Sequence, residues 1–261
     1  MNITVYGKDE RTAFAAELLK NELPPFACNI ILFPTPTTRD GAHVTDTADE
    51  LIPIFTSARA GCRIFGYGIP KPLIGIANRL NASVYDLSED EVLLEENARL
   101  TALGTVSKIL SAGTADPDAL KVGIIGFGRI GKHLTRMLTF HGATLFVFTS
   151  KPTLADELRT VGICGVITEV LSDSYGKEIL KGLDVLINTA PAKLLTDDMA
   201  ESLANVKVIE LASGSNIPAS VKHENMPSVP GRAYPKSAGR ILYKRILHCL
   251  RAENSPSAAA D

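Results

Sequence analysis

The sequence lacks tryptophan and has few of the patterns that bind metals, cross-link secreted proteins or cross membranes. Its four cysteines, Cys28, Cys62, Cys164 and Cys249, form no C-x-x-C pair, so we expect reduced thiols packed as small apolar side chains. The five histidines show no metal-ligand spacing. No apolar run approaches the ~20 residues that a membrane span needs. These absences favour a globular protein without a structural metal or a disulfide framework.

An excess of charge of one sign is also lacking. The 261 residues include 27 Lys and Arg against 29 Asp and Glu, a net charge of −2, and no basic cluster occurs. We therefore expect neither a nucleic acid nor a membrane as partner. The charged residues 8–11 are not typical of a signal peptide, so we expect a cytoplasmic protein.

Apolar runs and helical patterns alternate along the N-terminal part of the chain. They predict strands at 3–6, 29–33, 63–65 and 83–86, and helices at 11–23, 49–57 and 72–80. Ser88 and Glu91 form an S-x-x-E capping box, which predicts the start of a long helix that ends near Leu110. This alternation predicts a small α/β domain over 1–112, which the long helix joins to a second domain.

The second domain is predicted over 113–236. Its predicted strands lie at 121–125, 144–148, 165–167, 185–188 and 206–211, and their apolar composition is typical of a parallel sheet covered on both faces. A terminal helix at 237–251 is predicted to complete the N-terminal domain. Residues 252–261 are predicted to be a disordered tail.

The most specific motif is the segment KVGIIGFGRIG at 121–131. An apolar strand is followed by Gly126, Gly128 and Gly131 at G-x-G-x-x-G spacing, and a helical pattern over 132–140 comes next. The first glycine permits a tight turn, the second lets a pyrophosphate approach, and the third lets helix and strand pack closely. N–H groups at the helix start would bind the phosphates. We predict a Rossmann dinucleotide-binding domain; a glycine-rich turn without a ligand is the alternative.

The residues after the second strand of this domain bear on the choice of cofactor. A carboxylate there would bind the adenosine ribose of NAD. The sequence has Thr149, Ser150 and Lys151 instead, and two hydroxyls with an ammonium suit the additional phosphate of NADP. We predict NADP, with NAD as the second choice. A solvated Lys151 without a ligand is the competing interpretation.

Two later strand ends are expected at the same crevice. Asn188 and Thr189 could hydrogen-bond the ribose of the cofactor, and Pro191 would stiffen the turn. Ala212 and Gly214 follow the next strand, where small residues would admit a flat nicotinamide ring. An ordinary N-capped turn and a plain glycine turn are the respective alternatives.

Polar residues outside this domain's motifs are candidates for binding the substrate. They are Thr37, Thr38, Arg39, Asn97, Thr101 and Lys236. Arg39 could clamp a carboxylate or be solvated. Asn97 and Thr101 are four residues apart and so share one face of the long helix. Lys236 could neutralise a carboxylate or cap a helix. His43 has the chemistry of a proton acceptor, but no pattern places it.

In their order along the chain these motifs resemble the A component of dipicolinate synthase from spore-forming bacteria. The phrases GFGRIG at 126–131, INTAP at 187–191, IELAS at 209–213 and PKSAG at 235–239 carry the resemblance. Weaker matches are YGKDER at 6–11, FPTPTTRDG at 33–41 and ENARLTALGT at 96–105. The resemblance covers nearly the whole chain.

This resemblance implies a small N-terminal α/β domain, an NADP-binding Rossmann domain and oxidation of a dihydrodipicolinate-type dicarboxylate to dipicolinate. It also implies a second, flavoprotein-like subunit, and we expect a homo-oligomer. The implied cofactor contacts are Gly126, Phe127, Gly128, Arg129, Ile130, Gly131, Asn188, Thr189, Ala190, Pro191 and the vicinity of Ala212. The implied substrate cleft is lined by Thr37, Thr38, Asn97, Thr101 and Lys236.

The sequence departs from the family pattern at three places. Leu100 and Leu103 stand where the family usually has a proline and a glutamate. Residues 214–216, Gly-Ser-Asn, replace a K-P-G-G-like loop, and the N-terminal domain is short. Cofactor binding is compatible with all three changes, whereas each bears on the identity of the substrate.

Three other functions compete with this interpretation. A 2-hydroxyacid dehydrogenase has the same two-domain plan, but residues 211–217 contain no arginine and no His-Pro pair occurs. Shikimate-type dehydrogenases share the Asn-Thr element, but no matching lysine–aspartate pair is evident. The changes at Leu100, Leu103 and 214–216 favour the third alternative, a non-catalytic nucleotide sensor or partner subunit.

Overall fold

The computed structural model describes residues 2–23, 29–111 and 119–253, and its contacts divide the chain into two units. The first unit contains the described residues up to Asn97 and those from Pro230 onward, and the second is Ala98–Val229. Pro24, Pro25 and Cys28, and the predicted helix-ending residues 113–117, lie outside the described residues. Both units are α/β, as predicted.

Four parallel strands in the order β1-β2-β3-β4 form the sheet of the first unit. The strands are β1 (Asn2–Val5), β2 (Asn29–Leu32), β3 (Arg63–Gly66) and β4 (Ser83–Asp86), and helices α1 (Glu10–Glu22), α2 (Leu51–Thr56) and α3 (Lys71–Arg79) alternate with them. The predicted elements of this part are confirmed, with ends shifted by one or two residues.

Apolar side chains cover this sheet on both faces because neighbouring strand residues point in opposite directions. Ile30 of β2 and Phe65 of β3 pack with Leu19 of α1 in one buried cluster. Ile64 of β3 packs with Phe55 of α2 in a second cluster. The two central strands, β2 and β3, are therefore apolar at successive positions, and this explains their continuous apolar runs in the sequence.

Helix α4 (Glu91–Ser111) begins at a different cap from the one predicted. The carboxylate of Asp90 accepts a hydrogen bond from the Leu93 N–H at 2.9 Å. The Ser88 N–H donates to the Asp86 carboxylate at 2.9 Å, because Leu87–Glu89 form a separate 3-10 turn. The S-x-x-E prediction was wrong, and an aspartate two residues later caps the helix instead.

Six parallel strands form the sheet of the second unit in the order β10-β9-β8-β5-β6-β7. They are β5 (Lys121–Ile125), β6 (Thr144–Thr149), β7 (Cys164–Ile167), β8 (Val185–Asn188), β9 (Lys207–Glu210) and β10 (His223–Asn225), and α5 (Arg129–Phe140), α6 (Pro152–Thr160) and α7 (Ser174–Lys181) alternate with the first four. Five strands are confirmed; β10, with the polar sequence His-Glu-Asn, was not predicted because it has no apolar pattern.

The chain proceeds in one direction from β5 to β7 and then resumes on the other side of β5 with β8. The strand order therefore reverses between β5 and β8. In open parallel sheets, ligands bind beyond the carboxyl ends of the strands at such a reversal.

The C-terminal half of α4 belongs to the second unit. Ala102, Val106 and Ile109 are buried in a cluster with Val122 of β5. The division between the units thus falls inside α4, after Asn97, whereas the predicted boundary lay at 112–113. The apolar face of this helix, rather than the glycine and proline residues that follow it, decides where its last turns pack.

Helices α8 (Val229–Ala233) and α9 (Pro235–Glu253) end the described chain. Helix α9 packs against α1, where a Cβ on Gly239 would lie 2.6 Å from the Arg11 carbonyl oxygen. The predicted tail began at 252, but Ala252 and Glu253 extend α9, and Glu253 accepts a hydrogen bond from Arg63 at 2.7 Å. Residues 254–261 lie outside the described part.

The described residues contain no helix long and apolar enough to span a membrane. Within the same ranges, no group of three or more His, Cys, Asp or Glu could hold a metal ion, and Cys62, Cys164 and Cys249 form no disulfide bond with one another.

Candidate functional site

The glycine turn connects β5 to α5 at the reversal of strand order. Gly126 has φ +93°, which L side chains rarely adopt, and a Cβ there would lie 2.7 Å from the Thr189 hydroxyl oxygen. A Cβ on Gly131 would lie 2.3 Å from the carbonyl oxygen of Gly126. The conformation of the turn and the close approach of the helix therefore require glycine at both positions.

Gly128 differs from the other two glycines because neither its backbone conformation nor a neighbouring protein atom would exclude a side chain there. Its φ is −77°, and no heavy atom lies within 4 Å of the position that a Cβ would take. It is the N-cap residue of α5 and, as a glycine, it has no side chain to cap this helix end. The space over Gly128 thus lies open at a helix N-terminus, where a phosphate can approach the backbone.

A cavity of about 370 Å³ lies beside this turn at the carboxyl ends of the strands. It is formed by the glycine turn, the end of β6 and the loop after β8. Its lining residues are Gly126, Phe127, Gly128, Phe148, Thr149, Ser150, Lys151, Leu154, Thr168, Ala190, Ala192 and Leu194. Arg129 and Ile130 begin α5, and Gly131 is buried behind the turn. Seven of the fourteen predicted cofactor residues thus line one cavity.

The electrostatic character of the cavity comes from Lys151. Its side chain is exposed, and its ammonium makes no hydrogen bond or ion pair with a described residue. The Lys151 N–H donates to the Thr149 hydroxyl oxygen at 3.2 Å, which fixes the backbone of the turn after β6. None of the described lining residues is acidic. The site is suited to an anion at this end.

Asn188 and Thr189 use their side chains within the protein. The Thr189 hydroxyl donates to the Ile125 carbonyl oxygen at 2.9 Å. The Asn188 side chain is 2% exposed; its Oδ1 accepts from the Ala190 N–H at 3.1 Å. Thr189 therefore ties the loop to the glycine turn, Asn188 holds the backbone of Ala190, and Ala190 lines the cavity. Pro191 is exposed and is not among the lining residues.

Glu210, at the end of β9, was not singled out from the sequence. Its side chain is 3% exposed and accepts hydrogen bonds from Asn188 Nδ2 at 3.1 Å and from the Ala212 N–H at 2.9 Å. Burial raises the pKa of Glu210, and the bonds from Asn188 and Ala212 oppose that shift. The sequence feature that could have identified Glu210 is an acidic residue at the end of an apolar strand.

Thr37 stabilises the loop in which it lies. The side chain is fully buried, and its hydroxyl oxygen accepts from the Tyr67 N–H at 2.8 Å. In this structure Thr37 therefore has a positioning role, and its contact with a substrate stays a prediction. Thr38 donates to Asp40 at 3.1 Å, whereas Arg39 is exposed and makes no hydrogen bond to a described residue.

Asp40 and His43 form a hydrogen-bonded pair beside Arg39. His43 Nδ1 lies 2.7 Å from Asp40 Oδ2, and this bond, with the charge of Asp40, raises the pKa of His43. The N–H groups of His43 and Ala42 donate to Asp40 and hold the pKa of Asp40 well below its usual range. The imidazole is thereby oriented on an exposed loop.

The other substrate candidates are distributed over both units. Asn97 is the last residue of the first segment of unit one, and Thr101 belongs to the second unit and is 9% exposed. Lys236 lies exposed in the first turn of α9. At the positions that depart from the family pattern, Leu100 is buried and Leu103 is 37% exposed.

Two solved structures of the dipicolinate synthase A component share this fold over nearly the whole chain. The one from Bacillus subtilis is 22% identical and covers 97% of each chain with a TM-score of 0.76. The one from Bacillus halodurans is 21% identical, covers 95% of this chain and 97% of its own, and has a TM-score of 0.75. An L-alanine dehydrogenase is 14% identical over 98% of this chain and 91% of its own, with a TM-score of 0.61.

No protein-family model and no curated protein sequence matches the chain. At these identities the structural likeness establishes the fold. It is the two-part α/β fold of Rossmann-type dehydrogenases, so the predicted fold class is confirmed. The resemblance drawn from the sequence motifs is confirmed at the same level, that of the fold.

Proposed function

We propose that this protein is an NADP-dependent oxidoreductase that oxidises a ring dicarboxylate of the dihydrodipicolinate type. The single observation that carries the proposal is the glycine turn at the β5–β8 reversal, where the space over Gly128 opens at a helix N-terminus. A turn without a ligand would need Gly126 and Gly131 but not Gly128. The likeness to two dipicolinate synthase structures supports the substrate class.

The residues present fit a phosphorylated dinucleotide. Gly128 leaves room for the pyrophosphate, and the first-turn N–H groups of α5 would bind its charge. Lys151, with Ser150 beside it, would hold the additional phosphate of NADP, and a carboxylate to repel it is missing from the described lining. NADP rather than NAD is therefore the proposed cofactor. When bound, it supplies a nicotinamide ring that accepts a hydride.

The protein residues need only hold the donor and its carboxylates in place. Oxidation of a dihydro ring to an aromatic ring is downhill, so no strong acid or base is required. Arg39, an exposed guanidinium on the loop after β2, and Lys236, an exposed ammonium at the start of α9, are the proposed carboxylate ligands. His43, oriented by Asp40, is the proposed acceptor of the released proton.

The proposed setting is cytoplasmic, with a second, flavoprotein-like protein as partner and a homo-oligomeric state. These proposals rest on the resemblance of the ordered motifs to the A component of dipicolinate synthase. Co-purification with a flavoprotein-like partner and sedimentation of the purified chain test them separately.

Calorimetry and a turnover assay test the proposed function together. We expect the purified protein to bind NADP, and to form NADPH when a dihydrodipicolinate is added, as followed by the near-ultraviolet absorbance of NADPH. Gly128→Ala is the control variant, in which both signals should fall. A wild-type protein that binds neither NADP nor NAD would overturn the proposal.

The second candidate is a non-catalytic nucleotide-binding subunit. It is favoured by Leu103, an exposed leucine where the resembled family usually has a glutamate, and by the Gly-Ser-Asn loop at 214–216. NADP binding without NADPH formation, and without gain of activity on co-expression with a flavoprotein-like partner, would favour this candidate over the first.

A further inference from the structure

Glu210 is a buried carboxylate at the edge of the candidate cofactor site, and the proposed function does not use it. It ends β9, and its side chain is 3% exposed. Burying a carboxylate without hydrogen-bond donors would cost folding free energy. The donors that surround Glu210 therefore show which segments its carboxylate keeps in place.

The donors come from the two segments that follow neighbouring strands. Asn188 Nδ2, at the end of β8, donates to both carboxylate oxygens at 3.1 Å. The Ala212 N–H, which begins the loop after β9, donates to Oε1 at 2.9 Å. Glu210 thus links the carboxyl ends of β8 and β9.

Asn188 extends this link to the cofactor cavity. Its Oδ1 accepts from the Ala190 N–H and its Nδ2 donates to the Ala190 carbonyl oxygen, each at 3.1 Å, and Ala190 lines the cavity. Thr189, between them in sequence, donates to the carbonyl oxygen of Ile125 beside the glycine turn. Hydrogen bonds therefore connect Glu210 through Asn188 to Ala190 at the cavity, and the adjoining Thr189 ties the same segment to the end of β5.

The position of these segments decides which half of a dinucleotide they would meet. In a doubly wound sheet the adenosine half lies over the first strands, here β5 and β6, and the nicotinamide half lies over the later ones. The segments held by Glu210 follow β8 and β9. The segment after β8 begins beside the glycine turn, where Ala190 lines the cavity, and the segment after β9 lies one strand farther toward the nicotinamide side.

We propose that Glu210 is a positioning residue whose carboxylate holds the 189–191 and 211–213 segments in the arrangement that binds the nicotinamide half of the cofactor. This inference rests on the proposed function. It assigns a role to a residue that touches neither the glycine turn nor the cavity wall itself. A carboxylate suits the position because Oε1 accepts from both segments while Oε2 accepts a further hydrogen bond from Asn188.

The Glu210→Gln variant tests this role. The oxygen of the glutamine side chain can still accept from both donors that now bind Oε1, but its NH2 group would face Asn188 Nδ2 donor to donor, so the bond from Asn188 to Oε2 is lost. We expect the Kd for NADP to rise about tenfold, as loss of one charge-assisted hydrogen bond would cause. The Kd for 2′,5′-ADP, which carries only the adenosine half with its additional phosphate, should stay within about twofold.

Two further variants make the result specific. Glu224→Gln is the matched control, since Glu224 lies on β10, pairs with Lys108 and should leave both Kd values unchanged. Glu210→Asp keeps a carboxylate on a shorter side chain and should restore part of the NADP affinity that Glu210→Gln loses.

The outcomes separate this inference from the function on which it rests. Selective loss of NADP affinity in Glu210→Gln supports the positioning role. Equal loss for NADP and 2′,5′-ADP, or no loss for either, overturns it while the wild-type protein still binds NADP. A wild-type protein that binds neither nucleotide overturns the proposed function and this inference with it.

Discussion

The three glycines of the turn differ in what a methyl group would meet, and this difference can be measured. A Cβ on Gly131 would lie 2.3 Å from the Gly126 carbonyl oxygen, whereas a Cβ on Gly128 would meet open space. We expect Gly131→Ala to lower the free energy of unfolding by about 1–3 kcal/mol through overpacking.

We expect Gly128→Ala to change that free energy by less than about 0.5 kcal/mol, because the site is open and its backbone is not strained. Its affinity for NADP should nevertheless fall, since the methyl group occupies the space proposed for the pyrophosphate. Urea denaturation and calorimetry on both variants measure these effects. If Gly128→Ala bound NADP as tightly as the wild-type protein, the proposed phosphate position would be wrong.

Lys151 decides the proposed preference for NADP at the scale of one side chain. Lys151→Glu replaces the exposed ammonium of the cavity with a carboxylate, which would repel the additional phosphate. We expect the Kd for NADP to rise by at least about tenfold and the Kd for NAD to change by less than about threefold.

Lys222→Glu makes the same charge change just before β10, at the amino ends of the parallel strands, and should alter neither affinity. Isothermal titration with both dinucleotides gives the comparison. Equal losses of NADP and NAD affinity in Lys151→Glu would contradict the assignment of the phosphate pocket.

Among the secondary-structure elements, α4 has two candidates for the residue that caps its N-terminus, Asp90 and Ser88. Asp90 accepts from the Leu93 N–H and also pairs with Arg245 of α9 at 2.8 Å, whereas the Ser88 N–H donates to Asp86. We expect Asp90→Ala to lower the free energy of unfolding by about 1–2 kcal/mol. Ser88→Ala should change it by less than about 0.5 kcal/mol.

Urea denaturation of the two variants checks this assignment. Arg245→Ala removes only the ion pair and so separates its contribution from that of the cap. A larger loss of stability in Ser88→Ala than in Asp90→Ala would contradict the Asp90 cap and support the S-x-x-E capping box.

Most elements of both units could be predicted from the sequence because their patterns are local. Strands β5 and β8 are buried on both faces and have nearly continuous apolar sequences, and β4, β5 and β8 begin and end at the predicted residues. Strand β10 has only polar residues, so its pairing with β9 could not be read from its own composition. Loops such as 34–45 have no periodicity, so the burial of Thr37 could not be predicted from the sequence.

For the molecule as a whole, the division into two units predicts which unit a bound dinucleotide would stabilise. The glycine turn, the cavity and Glu210 all belong to Ala98–Val229. A ligand at 100 times its Kd stabilises the folded state by about 2.7 kcal/mol. We expect NADP to slow amide hydrogen exchange in this unit, with the largest effect in the segments after β5, β6 and β8.

Hydrogen exchange with mass spectrometry measures this protection by segment. NAD at the same concentration is the control and should protect less, since it lacks the phosphate proposed to bind Lys151. Protection confined to residues 2–97 would contradict a dinucleotide site in the second unit.

Local patterns of residues are sufficient to predict the alternating α/β organisation, the glycine turn and the lack of a carboxylate directly after β6, since each depends on residues adjacent along the chain. The division of α4 between the units, the burial of Thr37 and the contact of Glu210 with Asn188 depend on packing between distant segments. The last pair is separated by 22 residues and meets only because β8 and β9 are neighbours in the sheet. Such contacts arise from the register of packed strands, which no local pattern of side chains records.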